Sequence, residues 1–549
     1  MSQRTVNEGR EKAIAFLEEH KKRFKKRVEK VTEHIYCAVG YGLANSTLII
    51  TSEGNIIVDT TESIDVATEV KGEFDKISPM PTAAIIYTHG HTDHVGGASV
   101  FMSEGTEIIS NTKTVEFFNT QFNQLHQILD IRGARQFGVY LPTDHTPCSG
   151  LGPSLRLSRN KSKLLFPTKV FEGEMIVTIG DMSIELVSAP GETDDQIYIW
   201  IQDEKVLLGA DNYYPAFPNL YTIRGTSPRP VLQWVRSLDS MRDLQAEYLV
   251  LGHTEPVYGK ERISELLTMY RDAIQFVHDS TVRGMNLGKT PDQLVEEIVL
   301  PPHLQSYKEL HELYGSVSQS VRAIYDGYIG WFDGNATNLE RLQTKVYAEK
   351  IARLAGGVDE LRKEAQLALD KEDYQWTAEL SDLILALAPH DEDVKRVKAE
   401  ALTELGLRTY NSNNRSYYLS QANELKGNFR FPEKKPLQTR VSFAQAMPIE
   451  SFFRNMTILL QPERCLTKVY SVNVFIKDCE ENYKIKIRRG VAEIRSGMEA
   501  DSLLSIKVKE MVWKDLIVGA RYSEEVVRTG ELELSGDLKQ FQEFIELFQ

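Results

Sequence analysis

The feature that most constrains this chain is the heptapeptide Thr88-His89-Gly90-His91-Thr92-Asp93-His94, which follows directly on an apolar run at residues 83–87. Three histidines and an aspartate fall within positions 89–94 of a chain that has only 12 histidines in all. A short apolar run ending in a polar loop reads as a strand end, the place where α/β folds build their sites. Such a loop can turn alternate side chains towards two neighbouring centres. His89 and His91 would serve one cation, and Asp93 and His94 the other. Neutral imidazole and carboxylate are donors that suit zinc. Gly96 and Gly97 follow and let the backbone pack tightly as the next helix begins. A polar loop with incidental histidines is the bland alternative, and the spacing speaks against it.

The surrounding sequence supplies a frame for this loop. Residues 31–260 alternate short apolar strands with helices. Strand pairs are expected at 46–50 and 55–59, at 175–177 and 183–187, and at 197–201 and 205–208, with a further strand at 248–251. From about residue 264 the apolar spacing becomes helical, at 264–278, 292–298, 318–329, 339–354, 358–370, 374–387 and 391–407. Pro291 and the Pro389-His390-Asp391 junction suit helix boundaries. Residues 426–436, with two prolines and four basic residues, read as a linker. Strands at 472–476, 483–487, 491–494 and 503–508 and a final amphipathic helix then make a small α+β domain. There, Val472, Phe475 and Ile485 are candidates for an apolar groove, although a buried sheet face has the same pattern.

Charge and cysteine usage narrow the partners. A net charge of -14 argues against non-specific binding to nucleic acid or an anionic membrane surface. The basic run 21–26 reads as a solvated helix face. Four cysteines without a Cys-x-x-Cys pair fit a reducing compartment, so a cytoplasmic location is expected. No apolar stretch reaches the roughly 18 residues of a membrane span, and no export signal is read at residues 1–19.

The heptapeptide closely resembles the metal-binding signature of the metallo-β-lactamase superfamily. That resemblance implies an αββα sandwich of the α/β class and further ligands at later strand ends. Ala189-Pro190-Gly191-Glu192, Leu208-Gly209-Ala210-Asp211-Asn212 and Leu251-Gly252-His253 stand in the expected order. The implied metal ligands are His89, His91, Asp93, His94, Glu192, Asp211 and His253, holding two zinc ions per subunit. Asp211 would bridge the ions, and Asp93 and Glu192 would orient a zinc-bound water as the catalytic residues.

Glu192 stands where much of the superfamily has histidine, which is characteristic of its alkyl sulfatase branch. The segment Phe217-Pro218-Asn219-Leu220-Tyr221-Thr222-Ile223-Arg224-Gly225 resembles that family's Asn-Leu-Tyr-x-x-Arg-Gly element. Tyr314-Gly315-Ser316, Gly330-Trp331-Phe332-Asp333-Gly334-Asn335 and Asn414-Arg415-Ser416-Tyr417-Tyr418-Leu419 resemble others. The implied organisation is a catalytic domain at 1–262, an all-α dimerisation domain at 263–425, and a sterol-carrier-like α+β domain at 426–549. The implied reaction is zinc-dependent hydrolysis of an alkyl sulfate or similar amphiphilic anion by a homodimer. Asn219 and Arg224 would bind the sulfate, with Arg322 as a second cation. Water attack at sulfur and at the alkyl carbon both remain open. Asp211 departs from the glutamate common at this position in bacterial members. Two rival readings are another dinuclear zinc hydrolase (lactonase, thioesterase or phosphodiesterase) and a non-enzymatic lipid-binding protein.

Overall fold

A computed structural model describes residues 3–155, 162–431 and 437–549. The chain packs as two compact units. One holds most of residues 3–431, and the other holds 115–127, 164–166 and 437–549.

The first unit is built on two sheets. One comprises β1 (Arg27–Lys30), β2 (Ile35–Val39), β3 (Ser46–Thr51), β4 (Gly54–Val58), β5 (Thr82–Ile86), β6 (Glu107–Asn111) and β7 (Lys169–Phe171), hydrogen-bonded in that order. The other comprises β8 (Glu174–Ile179), β9 (Met182–Ser188), β10 (Ile197–Ile201), β11 (Val206–Ala210), β12 (Tyr248–Leu251) and β13 (Val257–Tyr258). The sequence of β10 shows why the sheets stack. Its residues Ile197, Ile199 and Ile201 enter the core shared with Ile35, Ile49, Val58 and Ile86 of the first sheet. Tyr198 and Trp200, on the alternate face, join Trp234, Leu238 and Leu267 of the helices Val231–Asp243 and Lys260–Asn286. A strand buried on both faces must be apolar throughout. On the outer side of the first sheet, helix Ile64–Ile77 buries Val66, Val70 and Phe74. The result is the expected αββα sandwich.

The helical region continues the same unit. Helix Pro291–Glu297 starts with a capping box between Thr290 and Gln293, and Asp391 caps Glu392–Arg408 by accepting from the Val394 amide. Helices Val358–Asp370, Tyr374–Leu387 and Glu392–Arg408 pack through Leu361, Leu380, Ile384, Val394 and Val397. The helix expected at 339–354 begins only at Thr344. Ahead of it, Asp333, Asn335 and Asn338 bond among themselves and to local backbone, which ends the preceding segment in a turn.

The motif around Asn414 closes onto the catalytic sandwich through buried polar bonds. Asn411 Nδ2 donates to the carbonyls of Glu312, Tyr314 and Gly315. Ser412 Oγ donates to those of Ser149 and Leu313. Arg415, itself buried, donates to the His145 carbonyl at 2.6 Å and to those of Gly406 and Leu407 at 3.2 and 3.0 Å.

The second unit carries β14 (Val469–Ile476), β15 (Glu481–Arg488), β16 (Val491–Ser496), β17 (Leu504–Val508) and β18 (Leu532–Ser535), in the order β16-β15-β14-β17-β18. Val472, Val474, Ile485 and Ile506 meet Phe453, Trp513, Phe541 and Phe544. Val472 and Ile485 are therefore consumed in the core, and Phe475, out of phase with them, is half-buried on the other face. This corrects the expectation of a shared groove, because strand alternation separates the three residues. The expected final helix is Leu538–Glu546, and Asp537 caps it by accepting from the Gln540 amide. The expected linker lies partly outside the described residues, at 432–436.

Replacing Arg415 with methionine leaves three buried carbonyls without their charged donor, a loss on the order of 3 kcal/mol. The variant's Tm should fall by about 3 °C while its metal content stays that of the wild type. An unchanged Tm in calorimetry would contradict the clamp.

Candidate metal centre

The seven expected ligands come from four strand ends, those of β5, β9, β11 and β12, and lie together. Ligand atoms of His89, His91, Glu192 and Asp211 form one group within 4.8 Å of one another, and those of Asp93, His94 and His253 form a second. Asp211 joins the two. Its Oδ2 lies 3.6 Å from His89 Nε2, 3.3 Å from His94 Nε2 and 3.2 Å from His253 Nε2. Glu192 Oε2 lies 3.3 Å from His91 Nδ1 and 3.8 Å from His89 Nε2. Asp93 Oδ2 lies 3.7 Å from the Nε2 atoms of both His94 and His253. Six of the seven are buried, and Asp93 is the more accessible one.

Hydrogen bonds on the far side of three of the four rings set their tautomers. His253 Nδ1 donates to the Leu43 carbonyl at 2.8 Å, so its Nε2 lone pair faces the cluster. His94 Nδ1 donates to Asp59 Oδ2 at 2.7 Å. His89 Nδ1 donates to Thr88 Oγ1 at 3.1 Å, and that hydroxyl donates to Asp59 Oδ2 at 2.7 Å. Asp59 thereby orients two ligands at once. It sits just after β4, and nothing in its local spacing marks it as functional, so the sequence analysis passed over it. The strand ends that carry these groups leave the ordinary backbone regions. Asp59, Ala210 and Thr254 have φ of 57°, 47° and 65°. Non-glycine residues in the left-handed region are uncommon, and they gather where the surrounding structure over-determines them.

Two glycines beside the centre have no room for a side chain. A Cβ on Gly252 would stand 2.1 Å from Asp211 Oδ1, and one on Gly97 would stand 2.3 Å from the Thr60 carbonyl. The first position keeps Asp211 in place, and the second allows the tight entry that the glycine pair after the heptapeptide implied.

The electrostatics are those of a compensated buried cluster. Burial together with the neighbouring His94 and His91 rings pushes His89 well below the usual imidazole range, so it stays neutral. Burial opposes the charged form of Asp211, yet His253 and His94 hold it well below the usual carboxylate range. Burial likewise disfavours an ionised Glu192, but Arg229 and His91 outweigh it and lower its pKa. Among the described residues, Glu192 Oε2, Asp211 Oδ1 and His94 Nε2 are buried atoms without a hydrogen-bond partner. Buried polar atoms are rarely left unmatched. Here all three are ligand-type atoms turned into one cluster, as a cation-binding centre requires.

The expected substrate contacts divide. Arg224 reaches the cluster, with Nη2 at 2.9 Å from His91 Nε2 and Nη1 donating to Thr222 Oγ1. Asn219 is buried, and its Nδ2 has no partner. Arg322 is placed differently. Its guanidinium pairs with Asp292 at 2.7 Å, its side chain is half exposed, and it lines a cavity of about 660 Å³ with Leu220, Ile223, Arg229 and Ile324. The expectation of Arg322 as a sulfate contact is not supported by this position: the helix Val317–Ile329 presents it to an aspartate at the surface. Arg229, which the sequence analysis did not single out, is buried and pairs with Glu192 Oε1 at 2.9 Å.

Comparison with known proteins follows this geometry. Residues 39–253 match the metallo-beta-lactamase superfamily, 290–428 the alkyl sulfatase dimerisation family and 438–549 the alkyl sulfatase C-terminal family. The chain is 34% identical to a linear primary-alkylsulfatase of Pseudomonas sp. (strain ATCC 19151), across 91% of this chain and 98% of that one. It is 27% identical to the alkyl/aryl-sulfatase BDS1 of Saccharomyces cerevisiae (strain ATCC 204508 / S288c), across 94% and 82%. Its fold matches the stereoselective inverting sec-alkylsulfatase Pisa1 from Pseudomonas sp. with a TM-score of 0.91 and 24% identity, covering 98% of this chain and 86% of that one. The fold and its cluster define a metallo-β-lactamase-type protein with a candidate metal centre. Within that class, the chain belongs to the alkyl sulfatase family.

Gly252→Ala should displace Asp211 without altering any ligand. Metal bound per subunit, measured by atomic emission after dialysis, should fall at least about tenfold in occupancy-limiting buffer, in line with the cost of disturbing groups that support a ligand. Full retention by a variant with native circular dichroism would show that Asp211 does not need this glycine.

Proposed function

We infer that this chain hydrolyses alkyl sulfate esters to an alcohol and inorganic sulfate, as a sulfuric ester hydrolase working with two zinc ions per subunit. The observation that carries the reading is the meeting of two donor groups at Asp211, with Arg224 at their edge. His89, His91, Glu192 and Asp211 would hold one ion, and Asp93, His94, Asp211 and His253 the other. Imidazole and carboxylate donors in this number suit zinc. When bound, such a metal pair supplies a water of lowered pKa and a Lewis-acid contact for an ester oxygen.

The remaining roles belong to the chain's own groups. A sulfate monoester presents three outer oxygens with delocalised negative charge. Arg224 offers a planar, permanently charged donor fork for two of them, and Asn219 Nδ2, without a partner among the described residues, is a second donor on the same segment. Asp93 is less buried than the other ligands and so best placed to orient the attacking water, with Glu192 opposite. Leu220 and Ile223, from the same segment as Asn219 and Arg224, line the 660 Å³ cavity and give an alkyl chain a place near its head group.

We divide the chain into a catalytic domain at 1–262, a helical domain at 263–425 and a C-terminal domain at 426–549. The helical domain would form a homodimer. Trp331 and Leu354, 75% and 80% exposed, supply the apolar surface that such a contact would cover. No helix among the described residues is long and apolar enough to cross a membrane. The four cysteines are unpaired thiols, which suits a cytoplasmic location.

The test is sulfate release from dodecyl sulfate by the wild type and by Glu192→Ala, with a phosphate ester and a lactone alongside. The wild type should release sulfate, and the variant should lose at least about a hundredfold. Preferential turnover of the lactone or phosphate would favour another hydrolase of this fold. No bound metal and no turnover after zinc addition would favour a lipid-binding role.

A further inference from the structure

Arg229 belongs to none of the sequence motifs, yet the structure pairs it with Glu192 of the metal centre and places it in the lining of the cavity of about 660 Å³. Its side chain is almost wholly buried, at 2% exposure against 3% for its partner Glu192. Burying a guanidinium is costly unless its charge is matched and its donors are used. Here the match is concentrated on one nitrogen. Nη1 lies 2.9 Å from Glu192 Oε1 and also donates to the Asn219 carbonyl. Nε and Nη2 have no hydrogen-bond partner among the described residues.

Two consequences follow for the centre. Glu192 Oε1 is occupied, so Oε2 is the oxygen left for the group formed with His91 and His89. A carboxylate otherwise free to bind through either oxygen, or both, is restricted to one. The second consequence concerns the substrate segment. The Asn219 carbonyl is tied to the nitrogen that holds Glu192, while the Asn219 amide donates to Tyr214 Oη at 2.8 Å. The start of the segment that carries Asn219 and Arg224 is thus fixed relative to a metal ligand.

We propose that Arg229 is a positioning residue that sets Glu192 for one-oxygen ligation and, through the same nitrogen, locks the sulfate-binding segment to the metal centre. The proposal rests on the assignment of Glu192 as a ligand and of Asn219 and Arg224 as sulfate contacts. It names a residue that the sequence motifs do not mark. Lysine at this position would keep the charge, but its ammonium ends one bond short of the position of Nη1 and does not reach both acceptors in place. Glutamine would keep a donor and lose the charge.

The experiment uses full-length Arg229→Lys and Arg229→Gln, each checked by circular dichroism. The first readout is zinc retention against increasing EDTA, which needs no substrate. The second is the separation of KM from kcat for dodecyl sulfate. Both folded variants should release zinc at an EDTA concentration at least about tenfold lower than the wild type. Arg229→Lys should also raise KM by about tenfold, since the sulfate contacts lose their anchor. Wild-type zinc retention and KM in a folded Arg229→Lys would overturn the proposal. So would failure of both variants to fold, which would make Arg229 a support of the fold instead. Should the wild type not turn over any alkyl sulfate, the functional reading fails, and the zinc readout still judges the link between Arg229 and Glu192.

Discussion

Asp211 is the group on which the whole arrangement rests, because its carboxylate lies within 3.6 Å of imidazoles from both halves of the cluster. It sits at the end of β11, next to Ala210 with its left-handed backbone, and opposite Gly252, whose lack of a side chain leaves room for the carboxylate. Around it, imidazoles from the heptapeptide and from the end of β12 converge at distances of 3.2 to 3.6 Å. So much buried charge and polarity is costly. It persists because nearly every group is answered by another: Asp59 by His94 and Thr88, Glu192 by Arg229, and His253 by the Leu43 carbonyl.

The rest of the first unit keeps these groups from drifting apart. The two sheets are locked by alternating residues such as those of β10, and helices cover both outer faces. That rigidity is what lets loops at the strand ends hold side chains to within fractions of an ångström. The helical region adds a second constraint. Asn411, Ser412 and Arg415 close on the loops around His145 and on the Leu313–Gly315 turn, and the Gly315 amide donates to the carbonyl of Phe217, two residues before Asn219. Motifs that look unrelated along the chain, at 217–225, 314–316 and 414–419, thus meet in one buried polar seam.

How much of this was legible in the sequence depended on how local the signal was. The heptapeptide declares itself because its ligands are close together and follow a strand. Glu192, Asp211 and His253 are single residues, and they became readable only through the order of strand ends that the family resemblance supplied. Asp59 and Arg229 act across 35 and 37 residues on His94 and Glu192. A lone acidic or basic residue in a loop carries no periodicity and no spacing, so nothing short of the fold reveals its partner. Arg322 shows the converse. It reads as a second candidate cation for the sulfate, with a helix-surface salt bridge as the alternative, and its guanidinium pairs with the exposed Asp292. In the C-terminal domain, alternation foretold the strands, and the same alternation rules out a groove formed jointly by Val472, Phe475 and Ile485.

The central claim is that one carboxylate joins two cation sites. Anomalous diffraction at the zinc edge from crystals grown with zinc tests it directly. The account requires two peaks about 3.5–4 Å apart, one against His89, His91 and Glu192, the other against Asp93, His94 and His253, with Asp211 contacting both. A single peak, or a pair that leaves Asp211 outside the coordination of either ion, would contradict it.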